Sequence, residues 1–194
     1  MIGFTVQQRR VNELSKVLKG SDKKVRRQLA IAVNATSKKT QGGIAKEVAK
    51  ELATAQKNIK KTIKIKKKAD GKDKVPSAVV SQTQTKRIPL RDFGARQTKK
   101  GTSYKVSKSK GRKTINGAFQ GPKPGVMKSS WRGRVFKRVG KARLPIQQLF
   151  GASPWGVFVK NDMKKPIVKE SKRELIKQIE RRIRFMKLKE SGAI

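Results

Sequence analysis

Residues 86 to 151 constrain the fold most, because short stiff segments punctuated by Pro and Gly alternate there with dense positive charge. The stretch reads KRIPLRDFGARQTKKGTSYKV, then GRKTINGAF, then GRVFKRVGKARLPIQQLFG. Lys86 to Arg143 holds nineteen Lys or Arg against one acid, Asp92, yet Ile88, Leu90, Phe93, Tyr104, Val106, Ile115, Phe119, Val135 and Phe136 recur through it. A basic tail without structure would lack those apolar residues, so the pattern predicts a folded β-rich unit that presents cations.

The charge is general to the chain. With 52 basic and 12 acidic residues the formal net charge is +40, of which residues 1–69 carry +15, 70–150 carry +18 and 151–194 carry +7. Such self-repulsion favours an anionic partner. Nucleic acid is the commonest, ahead of an acidic protein or a membrane surface. A hydrophobic share of 35% over 194 residues predicts one domain with a modest core. The chain has no Cys and no His, which excludes disulfides, the usual zinc ligand sets and an imidazole base. No stretch approaches the roughly 18 apolar residues of a membrane span, and the N-terminus lacks a signal-peptide core, so a cytoplasmic site of synthesis and use is expected.

In chain order, Val6, Val11, Leu14, Val17 and Leu18 predict a short helix over 5–18, stopped at Gly20. A long helix follows from Asp22 to Leu52, with Val25, Leu29, Ala32, Val33, Thr36, Thr40, Ile44, Val48 and Leu52 as its stripe. Gly42-Gly43 predicts a bend that lets this helix follow the core. Thr54 is expected to cap a brief helix ending near Lys61, and TIKIKKK then reads as an edge strand. Its Lys64, Lys66, Lys67 and Lys68 either discourage unwanted pairing or touch phosphate. Further strands are expected over 75–85, 102–107, 112–115 (running on through a bulge at Gly117) and 133–139, with a tight KSKG turn between the second and third. GPKPGVMKSSWRG reads as an exposed loop. LPIQQLF is expected to be a short helix opened by Pro145, GASPWGVFV a linker, and the end of the chain an amphipathic helix from near Pro166. The fold class is therefore α+β: an N-terminal helical region over 1–61, a central antiparallel β-rich basic unit over 62–159, and a C-terminal helix over 160–194 packing back on the same domain.

No catalytic constellation emerges, and no cofactor is expected. Asp92 sits in R-D-F-G-A-R, but the kinase D-F-G signature comes with a Gly-rich loop and an H-R-D segment, both missing here. Pairing with Arg91 or Arg96 accounts for it better. Glu47 and Glu51 stand among lysines and suit helix-surface ion pairs rather than a metal. Lys99, Lys100, Lys105, Lys108, Lys110, Arg112 and Lys113 flank one predicted hairpin, which would gather them near its tip as a nucleic-acid-binding cluster. No recognition helix or stacking signature accompanies them, so the contact expected is to phosphate and blind to sequence. Trp131, Trp155, Phe150 and Phe158 suit core packing or subunit anchoring better than base stacking. Phe150, Trp155, Phe158, Ile176, Ile179 and Ile183 are the candidates for contacts with neighbouring subunits.

The run at 87–106, the G-R-K-x-I-x-G-A-F segment at 111–119 and K-A-R-L-P-I-x-x-L-F-G at 141–151 resemble the prophage minor tail protein Z family, as does AVNATSKKTQGGIAKEVAKELATAQKNIKKTIKIKKK at 32–68. The family often has Pro where this chain has Asn116, and a G-H-x-G-V loop where it has GPKPGVMKSSWRGRV. The resemblance implies a non-enzymatic virion protein that completes a phage tail or joins tail to head, assembled in the host cytoplasm. It also implies a ring, with a hexamer as first expectation, neighbouring tail, neck or portal proteins as partners, and double-stranded DNA in the channel. A ribosomal or histone-like nucleic-acid-binding protein would share the composition, and stands as the alternative.

Overall fold

The computed structural model describes residues 22–73, 75–121 and 133–191. The helix expected over 5–18, and the body of the loop at 122–132 with Trp131, lie outside the described residues. The fold is α+β. It divides into two compact units, one built among the described residues from 22–44, 63–82 and 162–191, the other from 45–62, 83–121 and 133–161. Neither is continuous in sequence, and residues 63–82 group with the long helices.

In the first unit, helix α1 (Asp22–Glu51) contributes as far as Ile44. All nine positions of the expected stripe are buried, those beyond Ile44 in the second unit. The helix is unbroken at Gly42-Gly43, where a Cβ on either residue would meet nothing within 4 Å. Strands β1 (Ile63–Lys67) and β2 (Val79–Gln82) pair antiparallel as a two-stranded sheet. β1 buries Ile63 and leaves its lysines exposed, as expected of an edge, while the strand expected over 75–85 is reduced to β2. The carboxamide of Asn34 holds both polar groups of Ala69, donating to its C=O (2.9 Å) and accepting from its N–H (2.8 Å). That fixes the segment after β1 on α1.

The C-terminal helix, labelled α4 (Lys164–Glu190), packs its apolar face on α1. Leu175, Ile179 and Ile183 share a buried cluster with Val25, Leu29, Ala30, Ala32 and Val33. Lys39 meets Glu174 and Thr40 meets Ser171, so partners descend along α4 as they rise along α1 and the two helices run antiparallel.

The second unit begins with the end of α1 and with α2 (Gln56–Lys60), whose N-cap is Ala55. Thr54, expected as the cap, instead accepts a weak bond from Asn58 Nδ2 (3.4 Å). A 3-10 turn at Leu90–Phe93 buries both end residues to 1% exposure. Two three-stranded antiparallel sheets follow: β3 (Arg96–Thr98), β4 (Gly101–Tyr104) and β5 (Lys113–Asn116), then β6 (Ala118–Gln120), β7 (Val135–Arg138) and β8 (Ile146–Gln148). Gly117, at φ +71°, ends β5 where a bulge was expected. β6 belongs to the other sheet.

Two expectations are corrected here. Residues 146–148 form a strand and not a helix, because Ile146, Gln147 and Gln148 pair with Arg138, Lys137 and Phe136 and the Leu149 amide goes on to the Val135 carbonyl at 2.8 Å. Residues 154–160 form helix α3 (Pro154–Lys160), not a linker. Ser153 is its N-cap and Pro154 occupies the first turn, where a fixed φ and a missing N–H cost nothing.

Candidate nucleic-acid interface

The turn between β3 and β4 is built to hold Lys99 and Lys100 outward. Thr98 Oγ1 and the Gln97 amide both donate to the Gly101 carbonyl (2.8 and 3.1 Å). Gly101 has φ +150°, and a Cβ there would lie 2.1 Å from the Ile115 carbonyl oxygen, so only Gly lets β4 approach β5 this closely. Both lysines are exposed.

At the other end of β4 the tight turn expected to close the hairpin is a longer loop over 105–112. Its backbone bonds elsewhere: Lys105 N–H to Phe93 (3.2 Å), Ala53 N–H to Val106 C=O (2.8 Å), and Lys108 N–H to Glu51 C=O (2.9 Å). Lys108, Lys110 and Lys113 are exposed on this pinned frame, and Lys105 is half-buried. The seven predicted cations therefore do not share one tip. Lys99 and Lys100 are separated from the rest by the length of β4, about 10 Å at ~3.4 Å per residue.

Arg112 has a structural role despite its exposure. Its Nε donates to Ser103 Oγ (2.9 Å) and its Nη2 to the carbonyls of Gly94 (2.7 Å) and Ser103 (3.0 Å), tying β4 to the segment after the 3-10 turn. A third basic place, missed by sequence reasoning, is the end of β7 with the β7–β8 connection, where Lys137, Lys141 and Arg143 are exposed beside Val139 and Leu144. The run F-K-R-V-G-K-A-R was the available signal. Arg138 is held there by the Arg143 carbonyl (2.5 Å) and lies 5.4 Å over the Phe119 ring.

Within the same unit, a cleft of about 530 Å³ opens between the 105–113 loop, the last turn of α3 and the end of α1. Lys110 lines it from the loop, Lys113 from the start of β5 and Lys160 from α3, together with Leu52, Tyr104 and Val157. Lys160 belongs to the helix that the sequence reading took for a linker, so it went unnamed.

The apolar contact candidates divide by burial. Ile179 (2% exposed) and Ile183 (8%) pack in the first unit's own core, and Phe158 (7%) is buried in the second. Trp155, half-buried, stacks on Phe158 at 6.1 Å. Ile176 is half-buried, and Phe150 is 47% exposed. Asp92 pairs with Arg91 Nε at 3.4 Å and Glu47 with Lys50 at 2.8 Å. Among the described residues no group of three or more acids could hold a metal ion, and no helix is long and apolar enough to cross a membrane.

The fold is α+β, with exposed cations on its helices, strands, turns and loops alike. No family model, curated protein or solved structure matches the chain.

Proposed function

We propose that the chain is a structural, non-enzymatic virion protein that completes a phage tail or joins it to the head. Closed rings, hexameric by preference, would present cations to double-stranded DNA, with assembly in the host cytoplasm. The observation that carries this reading is the exposed placement of Lys99, Lys100, Lys108, Lys110 and Lys141 on braced turns and loops of one unit, with Lys113 and Lys137 on the adjoining strands β5 and β7. The fold sets the backbone positions from which they project. The resemblance of residues 32–68, 87–106, 111–119 and 141–151 to the tail-protein family supplies the setting.

A ring of identical subunits needs heterologous contacts that close. Val139, Leu144, Phe150 and Val159, between 47% and 66% exposed, offer apolar surface for them. A ring with a lysine-lined lumen attracts duplex through phosphates, releases counterions and demands no sequence. Cryo-microscopy of purified particles tests the proposal. The expected result is a closed ring at the portal-proximal end of the tail with these lysines toward the lumen. Absence of the chain from finished particles, co-sedimentation with ribosomes, or a ring whose lysines face outward would overturn it.

A further inference from the structure

We propose that the cleft of the second unit takes one unpaired nucleotide at the end of a DNA strand. Lys110, Lys113 and Lys160 would hold its phosphate, and Tyr104 with the apolar floor would carry its base. The inference rests on the nucleic-acid reading above and narrows it, since a cleft for an unpaired nucleotide discriminates where a phosphate surface does not.

Charge favours an anion. Three ammonium groups outweigh the one acid at the rim, Glu51, and the two helix C-termini that end there, each equivalent to about half a negative charge or less for the short α3. The lysines come from three separate elements, the 105–112 loop, the start of β5 and the last turn of α3. The loop side is fixed by the Lys108–Glu51 and Ala53–Val106 backbone bonds, and a Ser107–Ser109 hydroxyl bond of 2.9 Å braces its bend.

Shape and chemistry then choose among anions. A site for free phosphate has no use for Tyr104, Leu52 and Val157. An acidic peptide would satisfy the lysines but bring no flat ring to the floor. Tyr104, half-buried, packs against the Leu90, Ala118 and Val135 cluster and also lines the cleft. The volume of about 530 Å³ falls in the range of small-ligand sites. Duplex DNA is convex with its bases stacked inside, so a concave cleft reaches a base only where the base has left the stack. A strand end with unpaired residues meets that condition without the cost of opening a pair.

The test uses the full chain and fluorescence anisotropy with two probes, a blunt duplex and the same duplex carrying an unpaired thymidine tail, with poly-glutamate as competitor. Base–aromatic stacking makes the tailed duplex bind at least about fivefold tighter than the blunt one. Lys160→Glu abolishes that preference. Lys100→Glu, the same charge change at the far end of β4, weakens both probes alike and keeps it. Equal binding of the two probes by the unaltered chain, with blunt duplex still bound, overturns the cleft and leaves the phosphate-contact reading standing. Binding of neither overturns both. Loss of the preference in Lys100→Glu as well, or poly-glutamate competing as well as the tailed duplex, also overturns the cleft.

Discussion

The contact between α1 and α4 contains one buried side-chain hydrogen bond, between the hydroxyls of Thr40 (4% exposed) and Ser171 (3%) at 2.8 Å. Replacing one partner leaves the other hydroxyl buried without its bond, at a cost of ~1–3 kcal/mol, whereas replacing both with apolar groups is close to neutral. Each hydroxyl has a fallback in the carbonyl four residues earlier, the arrangement Thr36 and Ser37 already use with Ala32 and Val33 (2.9 and 2.8 Å). That fallback sets the expectation at the lower end of the range. Thr40→Val and Ser171→Ala should each cost about 1 kcal/mol or somewhat more, and the double variant should cost less than their sum by about 1 kcal/mol. Thr36→Val serves as control, since its hydroxyl bonds within its own helix and should not couple to Ser171→Ala. Urea denaturation followed by helical ellipticity measures all of these. A coupling below about 0.5 kcal/mol, the limit of additivity between independent sites, would refute a hydrogen bond that joins the helices.

Two further expectations concern stability. Gly42→Ala should stabilise by up to about 1 kcal/mol through helix propensity, since its Cβ meets nothing within 4 Å, whereas in Gly151→Ala the Cβ would lie 2.2 Å from Cε2 of buried Phe93 and repacking should cost ~1–3 kcal/mol; thermal unfolding of the two variants should shift in opposite directions, and a shared sign would contradict the packing at Phe93. Burial of the Glu174 carboxyl (14% exposed) pushes its pKa up, but hydrogen bonds from Lys39 and Gln178 and the charges of Lys39 and Lys177 outweigh that and hold it below the usual carboxylate value. The folded state thus binds this proton less readily than the unfolded one, so the stabilisation is present above the unfolded pKa of about 4.3 and is lost as pH falls through the lower folded value. Glu174→Gln should lower the unfolding midpoint at neutral pH and converge with the unaltered chain in acid; parallel profiles would contradict the assignment.

The long elements were legible in the sequence because a helical stripe needs no knowledge of its partner. Val25 through Leu52 repeat every three or four residues, and all nine positions are buried. The short elements were legible only where local signals pointed one way. LPIQQLF carries the Pro of a helix start, yet three of its residues are a strand because β7 offers an open edge to pair with. That fact belongs to tertiary structure and not to the heptapeptide. GASPWGVFV carried a usable signal, Ser-Pro before an apolar run, but its two glycines suggested a linker. The lysine cluster was read from proximity in sequence, and a four-residue strand is enough to send neighbours in sequence to opposite ends of a sheet. Lys160 could join the cleft only once α3 was a helix.

Three arginines of the second unit are used differently from its exposed lysines. Arg112 has two backbone carbonyls and a hydroxyl, Arg134 has the Gln148 carboxamide (3.1 Å), and Arg138 has a carbonyl and an aromatic face. Each use exploits the planar fork of the guanidinium, which fits fixed acceptors and lies flat on rings. The exposed lysines of the turns and loops offer compact, hydrated point charges on flexible stems. Base-specific readout of duplex DNA leans on the opposite choice, because the commonest specific contact is a bidentate one from Arg or Lys to guanine, and the rigid fork serves it best. On the proposed reading, tying Arg112, Arg134 and Arg138 into the fold and leaving ammonium groups at the surface favours contact with phosphate over readout of sequence. On the same proposal, discrimination would come from shape, at the cleft beside Tyr104.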